Sequence, residues 1–200
     1  VLGARPEDYL RFGAGFAPLT TDGQWWRLVT APYVHAGVLN LAVNLWALWH
    51  AGHITERAFG NGWFAAIYLF AGTAGECAGL LWNPQGISMG ATGAVFGVYG
   101  ALLAYLALQR GAISGAVLEG LRVSAAVFVT YALFYGFTRS GVGNAAHAGG
   151  LCAGCVMGLI AARPLDARRQ MSRNGRRAML AALLAGVDRK STRLNSSHRT

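Results

Sequence analysis

Two glycine-rich segments hold the residues whose types and spacing suggest chemistry. They read SMGATGAVFGVYGA (88–101) and GNAAHAGGLCAGCVMG (143–158). In the first segment, Thr92 lies between Gly90 and Gly93 in the first turn of a predicted helix. There a hydroxyl group can project, and the unpaired backbone N–H groups of a helix start can bind a developing oxyanion. The alternative is that this stretch is only an N-capped, glycine-packed helix start.

The second segment contributes His147. A histidine inside a membrane helix is costly and marks a candidate functional site, although a structural hydrogen bond between helices is the alternative. Glycines at i+3, i+7 and i+11 from His147 form one stripe, and the first segment offers a matching surface: Gly150, Gly154 and Gly158 against Gly93, Gly97 and Gly100. Such surfaces let two backbones approach closely. Phe96, four residues after Thr92, shares its face and is placed to pack against an imidazole.

The elements that must position these residues are predicted by composition. Of the 200 residues, 54% are apolar and 12% charged, and the mean hydropathy is +0.37. Charged side chains are absent from five runs of about the length that a bilayer crossing requires: 28–55, 58–75, 77–109, 123–138 and 140–162. Each span must satisfy its own backbone hydrogen bonds in lipid, and the period-2 alternation of a membrane barrel is missing. The predicted fold class is therefore all-α, a polytopic transmembrane helical bundle.

Clusters of glycine, proline and asparagine divide the apolar runs into five predicted spans. They cover about Tyr33–His53, Trp63–Trp82, Gly90–Leu108, Ala116–Phe137 and Asn144–Ala162. A further apolar stretch, Ala178–Val187, is too short to cross a bilayer and is interpreted as a truncated helix. We expect an extramembrane or interfacial segment over 1–32, a transmembrane domain over 33–162, and a basic cytoplasmic segment with the truncated helix over 163–187.

The formal net charge of +9 is concentrated at one end of the chain. Residues 1–162 carry seven Arg against six acidic residues, whereas 163–200 carry nine Arg and one Lys against two acidic residues. A basic stretch directly after an apolar span is typical of a cytoplasmic segment and argues against a nucleic-acid partner. Alternation of the five spans then predicts that 163–177 is cytoplasmic and that 1–32 and the starts of the third and fifth spans lie at the opposite surface.

The two termini carry expectations of their own. The sequence starts at Val1 without an initiator Met, which predicts that upstream sequence has been lost. Residues 188–200 are polar and aperiodic and are predicted to be a non-native tail.

Several ordered motifs between residues 22 and 162 resemble those of the rhomboid family of intramembrane proteases. The motifs are GQWWR (23–27), HAGVLNLAVNLWALW (35–49), GHITERAFG (52–60), SMGATGAVFG (88–97) and AHAGGLCAG (146–154). The resemblance implies a six-helix core, of which the five spans would be the second to the sixth helix. It also implies an integral protein of a bacterial inner membrane, in contact with lipid, whose partners are transmembrane protein substrates.

The resemblance also implies site residues. Thr92 stands at the position of the serine nucleophile, and His147 at that of the histidine base, in a dyad without an acid. Asn44 matches the asparagine of the oxyanion site. Asn40 stands where many members have a histidine and is assigned to the same oxyanion site. The supporting residues are Gly90, Gly93 and Phe96. A catalytically impaired pseudoprotease that binds membrane segments without cleaving them is the alternative, because the additional methyl group of Thr92 restricts χ1 and would crowd a tight dyad.

Other features are given structural interpretations. The spacing of CAGC (152–155) also occurs in redox and zinc sites, but small-residue packing is favoured because no second ligand pair accompanies it. Trp25 and Trp26 are interpreted as an interfacial anchor or as part of a membrane-embedded loop. Glu76 could be a third catalytic residue, but pairing with a neighbouring helix is favoured. A channel or transporter is disfavoured because paired broken helices and a line of charges are missing. No metal or organic cofactor is predicted.

Overall fold

The described part of the chain is helical. The structure is a computed structural model that describes residues 5–109, 115–138 and 143–162. Within these ranges the helices are α1 (Pro6–Arg11), α2 (Ala17–Thr21), α3 (Arg27–Thr30), a 3-10 turn (Ala31–Tyr33), α4 (Val38–Phe59), α5 (Asn61–Trp82), α6 (Thr92–Leu108), α7 (Gly115–Thr138) and α8 (Asn144–Ala161). The same ranges hold no named β-strand, only one isolated antiparallel bridge between Gly15 and Ser88. The all-α fold class is confirmed.

The five long helices, α4 to α8, correspond to the five predicted spans. Most of their bounds lie within two residues of the predicted ones. The first span is the exception at both ends, because it was predicted over Tyr33–His53 but α4 covers Val38–Phe59. Pro32 lies within the 3-10 turn, and the chain bends by 95° between this turn and α4. The predicted truncated helix, Ala178–Val187, and the basic segment lie outside the described residues.

Length and hydropathy qualify fewer helices as membrane spans than the predicted five. In the described residues, α5, α8 and the Gly115–Phe134 part of α7 are long and apolar enough, and the bent pair of α3 with α4 makes a fourth. The remaining helix, α6, is apolar but has only 17 residues. Its position explains its composition, because a helix that is apolar on all sides is one surrounded by other helices.

Helix α6 is the centre of the bundle. It packs against α4, α5 and α8, and 11 of its 17 residues are buried. The core continues from α6 to α7 through Tyr99, whose ring stacks on Phe128 at a centroid distance of 5.6 Å. Because Thr92 is the first residue of α6, the polar site lies at one end of the best-packed helix.

The long helices are connected by turns that require glycine at two positions. Gly60 is both the C-cap of α4 and the N-cap of α5, with φ of +85°. Gly90, two residues before α6, has φ of +106°. Residues with a Cβ rarely adopt this conformation, so glycine permits both reversals. The turn at Gly90 sets the direction in which α6 leaves its preceding loop.

Candidate active site

The interface between α6 and α8 brings the two glycine-rich segments together. A Cβ placed on Gly150 would meet the carbonyl oxygen of Gly93, and one placed on Gly154 would meet that of Gly97. Further along, a Cβ on Gly158 would lie 2.7 Å from the carbonyl oxygen of Ala101. Backbone therefore rests on backbone along the whole glycine stripe, as the sequence predicted. This contact fixes the first turns of the two helices against each other.

His147 lies in the first turn of α8, on the side that faces α6. Its side chain is buried, with a relative exposure of 6%. The imidazole stacks on the ring of Phe96, at a centroid distance of 4.9 Å and an interplanar angle of 17°. Its Nδ1 atom is buried and has no hydrogen-bond partner among the described residues. Packing against Phe96, rather than a carboxylate, therefore holds the ring.

Thr92 begins α6 and is also buried, with a relative exposure of 8%. It lies one helical turn before Phe96, and hence one turn before the residue that touches His147. Ala146, the neighbour of His147, has its carbonyl oxygen 3.3 Å from the position of a Cβ on Gly93, the neighbour of Thr92. The amide groups of the first turn of a helix have no acceptor within that helix. The first turn of α6 thus carries the Thr92 hydroxyl group and lies one turn before Phe96, the ring on which His147 of the facing helix stacks.

The two asparagines of α4 occupy different places. The position of a Cβ on Gly90 lies 3.3 Å from Asn40 Oδ1 and 3.7 Å from Thr92 Oγ1, so Asn40 faces the turn that leads into α6. Asn40 Nδ2 also donates to the hydroxyl of Tyr131 in α7 at 3.4 Å. Asn44 lies one turn further along α4, where its Nδ2 donates to the carbonyl of Asn40 at 2.8 Å. Its Oδ1 is buried and meets no hydrogen-bond partner within residues 5–109, 115–138 and 143–162.

Sequence reasoning assigned no role to His35, which contacts this turn. The amide of Ala91 donates to His35 Nε2 at 3.4 Å, and Nδ1 lies 3.2 Å from the carbonyl of Tyr33. These bonds fit a neutral ring that carries its proton on Nδ1. Burial lowers the pKa of His35 below its ordinary value of 6.5, and the bond to the Tyr33 carbonyl opposes this in part. His35 occurs in the HAGVLN motif, but only the fold shows that it reaches the residue before Thr92.

Arg27 explains the conformation of the segment over 5–37. Its guanidinium is buried and donates to the carbonyls of Leu10 and Ala14 at 2.7 and 2.9 Å. It also lies over the ring of Trp26 at 4.6 Å. The adjacent Trp25 is 68% exposed. One tryptophan therefore packs on the arginine while the other projects outward, where an interfacial anchor would lie.

The expectation for Glu76 was wrong in its partner. The sequence favoured pairing with a neighbouring helix, but Ser88 Oγ, in the loop over 83–91, donates to Glu76 Oε1 at 3.0 Å. Cys152 and Cys155 are free thiols on α8, partly or fully exposed. No group of three or more His, Cys, Asp or Glu residues that could hold a metal ion occurs in the described ranges.

The described helices and the buried polar site at the start of α6 define a polytopic helical membrane protein. The sequence profile of the rhomboid domain matches residues 22–164, nearly the range that the motifs had indicated. The chain therefore belongs to the rhomboid family, and the resemblance drawn from the motifs is confirmed.

Relatives from several kingdoms share this region. Rhomboid protease GluP of Bacillus subtilis is 40% identical over 148 residues, which cover 74% of this chain and 28% of the relative. RHOMBOID-like protein 5 of Arabidopsis thaliana is 32% identical over 152 residues, which cover 75% of this chain and 48% of the relative. Putative rhomboid protease YdcA of Bacillus subtilis is 28% identical over 148 residues, or 72% of its length. The chain thus spans between about a quarter and a half of the length of the first two relatives.

Proposed function

We propose that this chain is an intramembrane endopeptidase that cleaves transmembrane protein substrates with a dyad of Thr92 and His147. Thr92 Oγ1 attacks the scissile carbonyl carbon while His147 removes its proton, which gives a tetrahedral intermediate. The C–N bond then breaks as His147 protonates the leaving amine. Water, deprotonated by His147, hydrolyses the resulting ester and frees Thr92.

The packing of His147 supports this assignment. An imidazole is costly when it is buried in an apolar bundle and its Nδ1 has no partner among the residues that the structure describes, so its presence indicates a function. The backbone contacts between α6 and α8 bring its helix turn to the turn that carries the hydroxyl group. A base without an acid partner matches the dyad that the family resemblance implies, with Phe96 as the support that orients the ring.

Three groups are proposed to stabilise the oxyanion. The backbone N–H of Thr92 lies in the first turn of α6, and the amides of Asn44 and Asn40 come from the adjacent face of α4. Asn40 has its oxygen toward Gly90 and its nitrogen toward Tyr131. A half-turn of its carboxamide would direct an N–H group toward the turn before Thr92. Donors fixed in advance around a developing negative charge contribute strongly in a site without water.

The proposed setting is the inner membrane of a bacterium, with lipid around α5, α7 and α8. Many large apolar side chains of these helices are exposed, among them Phe70, Leu81, Val127 and Phe134. The site lies at the end of the bundle to which the charge distribution assigns the non-cytoplasmic side. Cleavage is therefore proposed near the outer surface, without nucleic acid or a cofactor.

The experiment is cleavage of a transmembrane substrate by the full chain in liposomes. The informative variants are Thr92→Ser, Thr92→Val and His147→Ala. Valine keeps the branched shape of threonine without the hydroxyl group, so it serves as the matched control for folding. The dyad is supported if the Thr92→Ser chain cleaves the substrate, the Thr92→Val chain does not, and the addition of His147→Ala to Thr92→Ser abolishes cleavage. Cleavage that persists with Thr92→Val and with His147→Ala would refute it.

A pseudoprotease is the second candidate, and one observation favours it. Thr92 is buried, with a relative exposure of 8%, so the additional γ-methyl of threonine must be accommodated in a packed helix start. A non-cleaving member would still bind membrane segments. If the Thr92→Ser chain folds, binds the substrate and does not cleave it, this second function replaces the first.

A further inference from the structure

Glu76 is a buried acidic side chain that the proposed reaction does not use. It lies within α5 with a relative exposure of 4%. Its Oε1 accepts the 3.0 Å hydrogen bond from Ser88, and its Oε2 is buried with no partner in the part of the chain that the structure describes. Burial of an acidic side chain inside a membrane helix costs free energy, so its presence indicates a structural or functional role. The position of a Cβ on Gly15 lies only 2.7 Å from Oε2, so this oxygen faces the segment over 5–37.

Ser88 connects Glu76 to the residues before α6. The backbones of Ser88 and Gly15 exchange two hydrogen bonds of 2.8 Å each. Two residues later the amide of Gly90 donates to the carbonyl of Ala31 at 3.1 Å. Thr92 follows Ser88 by four residues. The loop over 83–91 is thus paired with the segment over 5–37, and the side chain of Glu76 lies against both paired segments, at Ser88 and at Gly15.

We propose that Glu76 is a positioning residue, which holds this pairing on α5 and thereby fixes where Thr92 begins α6. This inference rests on the proposed function. The hydrogen bond to Ser88 sets the distance between α5 and the loop, while Oε2 sets the closest approach of Gly15. Without Glu76 the paired segments can shift together along α5. Displacement of a reacting group by about 1 Å can reduce a rate by about 100-fold.

The kinetic test compares Glu76→Gln with Glu76→Leu in the full chain that carries Thr92→Ser. Glutamine keeps the carbonyl oxygen that accepts from Ser88, whereas leucine keeps a similar volume without any acceptor. We expect kcat to fall by at least ~10-fold with leucine, KM to change by less than ~2-fold, and glutamine to restore most of kcat. Phe70→Leu, an exposed change on the same helix, is the control for insertion in the membrane.

The second readout does not depend on proteolysis. Hydrogen exchange of the full chain in micelles should accelerate in both 13–16 and 83–91 with Glu76→Leu and remain unchanged with Glu76→Gln. If Glu76→Leu does not fold, Ser88→Ala, which removes only the hydroxyl group, should give the same pattern more weakly. Unchanged exchange in 83–91 would overturn the proposal even if every chain is inactive. Accelerated exchange in inactive chains would support the positioning role of Glu76 and contradict only the proposed reaction.

Discussion

The imidazole of His147 and the phenyl ring of Phe96 stack across the interface of α8 and α6, with their centroids 4.9 Å apart. Phe96 is held in turn by Phe128 of α7, at a centroid distance of 5.2 Å. Three helices therefore determine the orientation of one imidazole. His147 Nδ1 has no hydrogen-bond partner among the described residues, so in the proposed dyad ring packing would replace the acid that orients the base of a triad.

The first prediction concerns this stack. Phe96→Leu should lower kcat of the Thr92→Ser chain by about 10-fold, because an imidazole without its aromatic support leaves the productive orientation. Phe64→Leu, which changes an aromatic side chain elsewhere in the bundle, is the control. Cleavage of a transmembrane substrate in liposomes measures both. Equal rates for the two variants would show that Phe96 does not orient the base.

The second prediction concerns the nucleophile. Activity with Thr92 should be weak or absent, and Thr92→Ser should raise it by at least ~10-fold, which corresponds to about 1.4 kcal/mol of barrier. Both side chains supply a hydroxyl group, but threonine adds a methyl group at a helix start where the relative exposure of the residue is only 8%. His147→Ala on the Thr92→Ser background should remove the activity. A fully folded Thr92→Ser chain that stays inert would favour the pseudoprotease.

The third prediction tests the backbone contact between α6 and α8. Gly154→Ala should destabilise the fold by roughly 1–3 kcal/mol, because its Cβ would overlap the carbonyl of Gly97. Gly62→Ala in α5 is the matched control, since no described atom outside its chain neighbours and its own helix backbone lies within 4 Å of its Cβ position. There alanine should stabilise the helix by up to ~1 kcal/mol through its higher propensity. Thermal unfolding in micelles measures both, and similar shifts would contradict the packing.

The fourth prediction concerns pH. Burial lowers the pKa of His35, so the native chain binds fewer protons than the unfolded chain, and neutral His35 stabilises the fold. This contribution is complete above the ordinary pKa of 6.5 and is lost as the pH falls toward the lower native pKa. Protonation also removes the acceptor of the Ala91 amide. The difference in unfolding midpoint between the native chain and His35→Leu should therefore shrink on acidification, and a constant difference from pH 8 to about pH 5 would refute it.

The fifth prediction is topological. Single cysteines introduced by Gly86→Cys and Gln170→Cys in a chain without native cysteines should react with impermeant probes from opposite sides of the membrane. The arginine-rich segment over 163–177 predicts that position 170 is cytoplasmic. Labelling of both positions from one side would overturn the predicted arrangement.

The long helices and the glycine contact were predictable from the sequence because both depend on local periodicity. Apolar length predicted α5, α7 and α8, and the spacing of Gly150 and Gly154 predicted a face that admits another backbone. The segment over 5–37 was not predictable in this way. Its short helices depend on Arg27, whose carbonyl partners lie 13 and 17 residues away in sequence.

The polar contacts around the site were less predictable for a similar reason. Asn40 reaches Tyr131, which is 91 residues later, and His35 reaches Ala91, which is 56 residues later. Glu76 was recognised as an unusual buried acid, but its partner lies in a loop that has no periodic pattern. Hydrogen bonds between distant segments follow from the packed fold, so spacing alone does not reveal them.

The glycine contact also divides the bundle into parts with different freedom to move. Where Gly150 and Gly154 meet the carbonyls of Gly93 and Gly97, the separation of α6 and α8 equals the thickness of two polypeptide backbones. No intervening side chain can change rotamer there. We therefore expect α6 and α8 to move together as one rigid unit that carries Thr92 and His147. Under the proposed function, a substrate segment would enter by displacement of α4, α7 or the 5–37 segment, while Thr92 and His147 keep their mutual alignment.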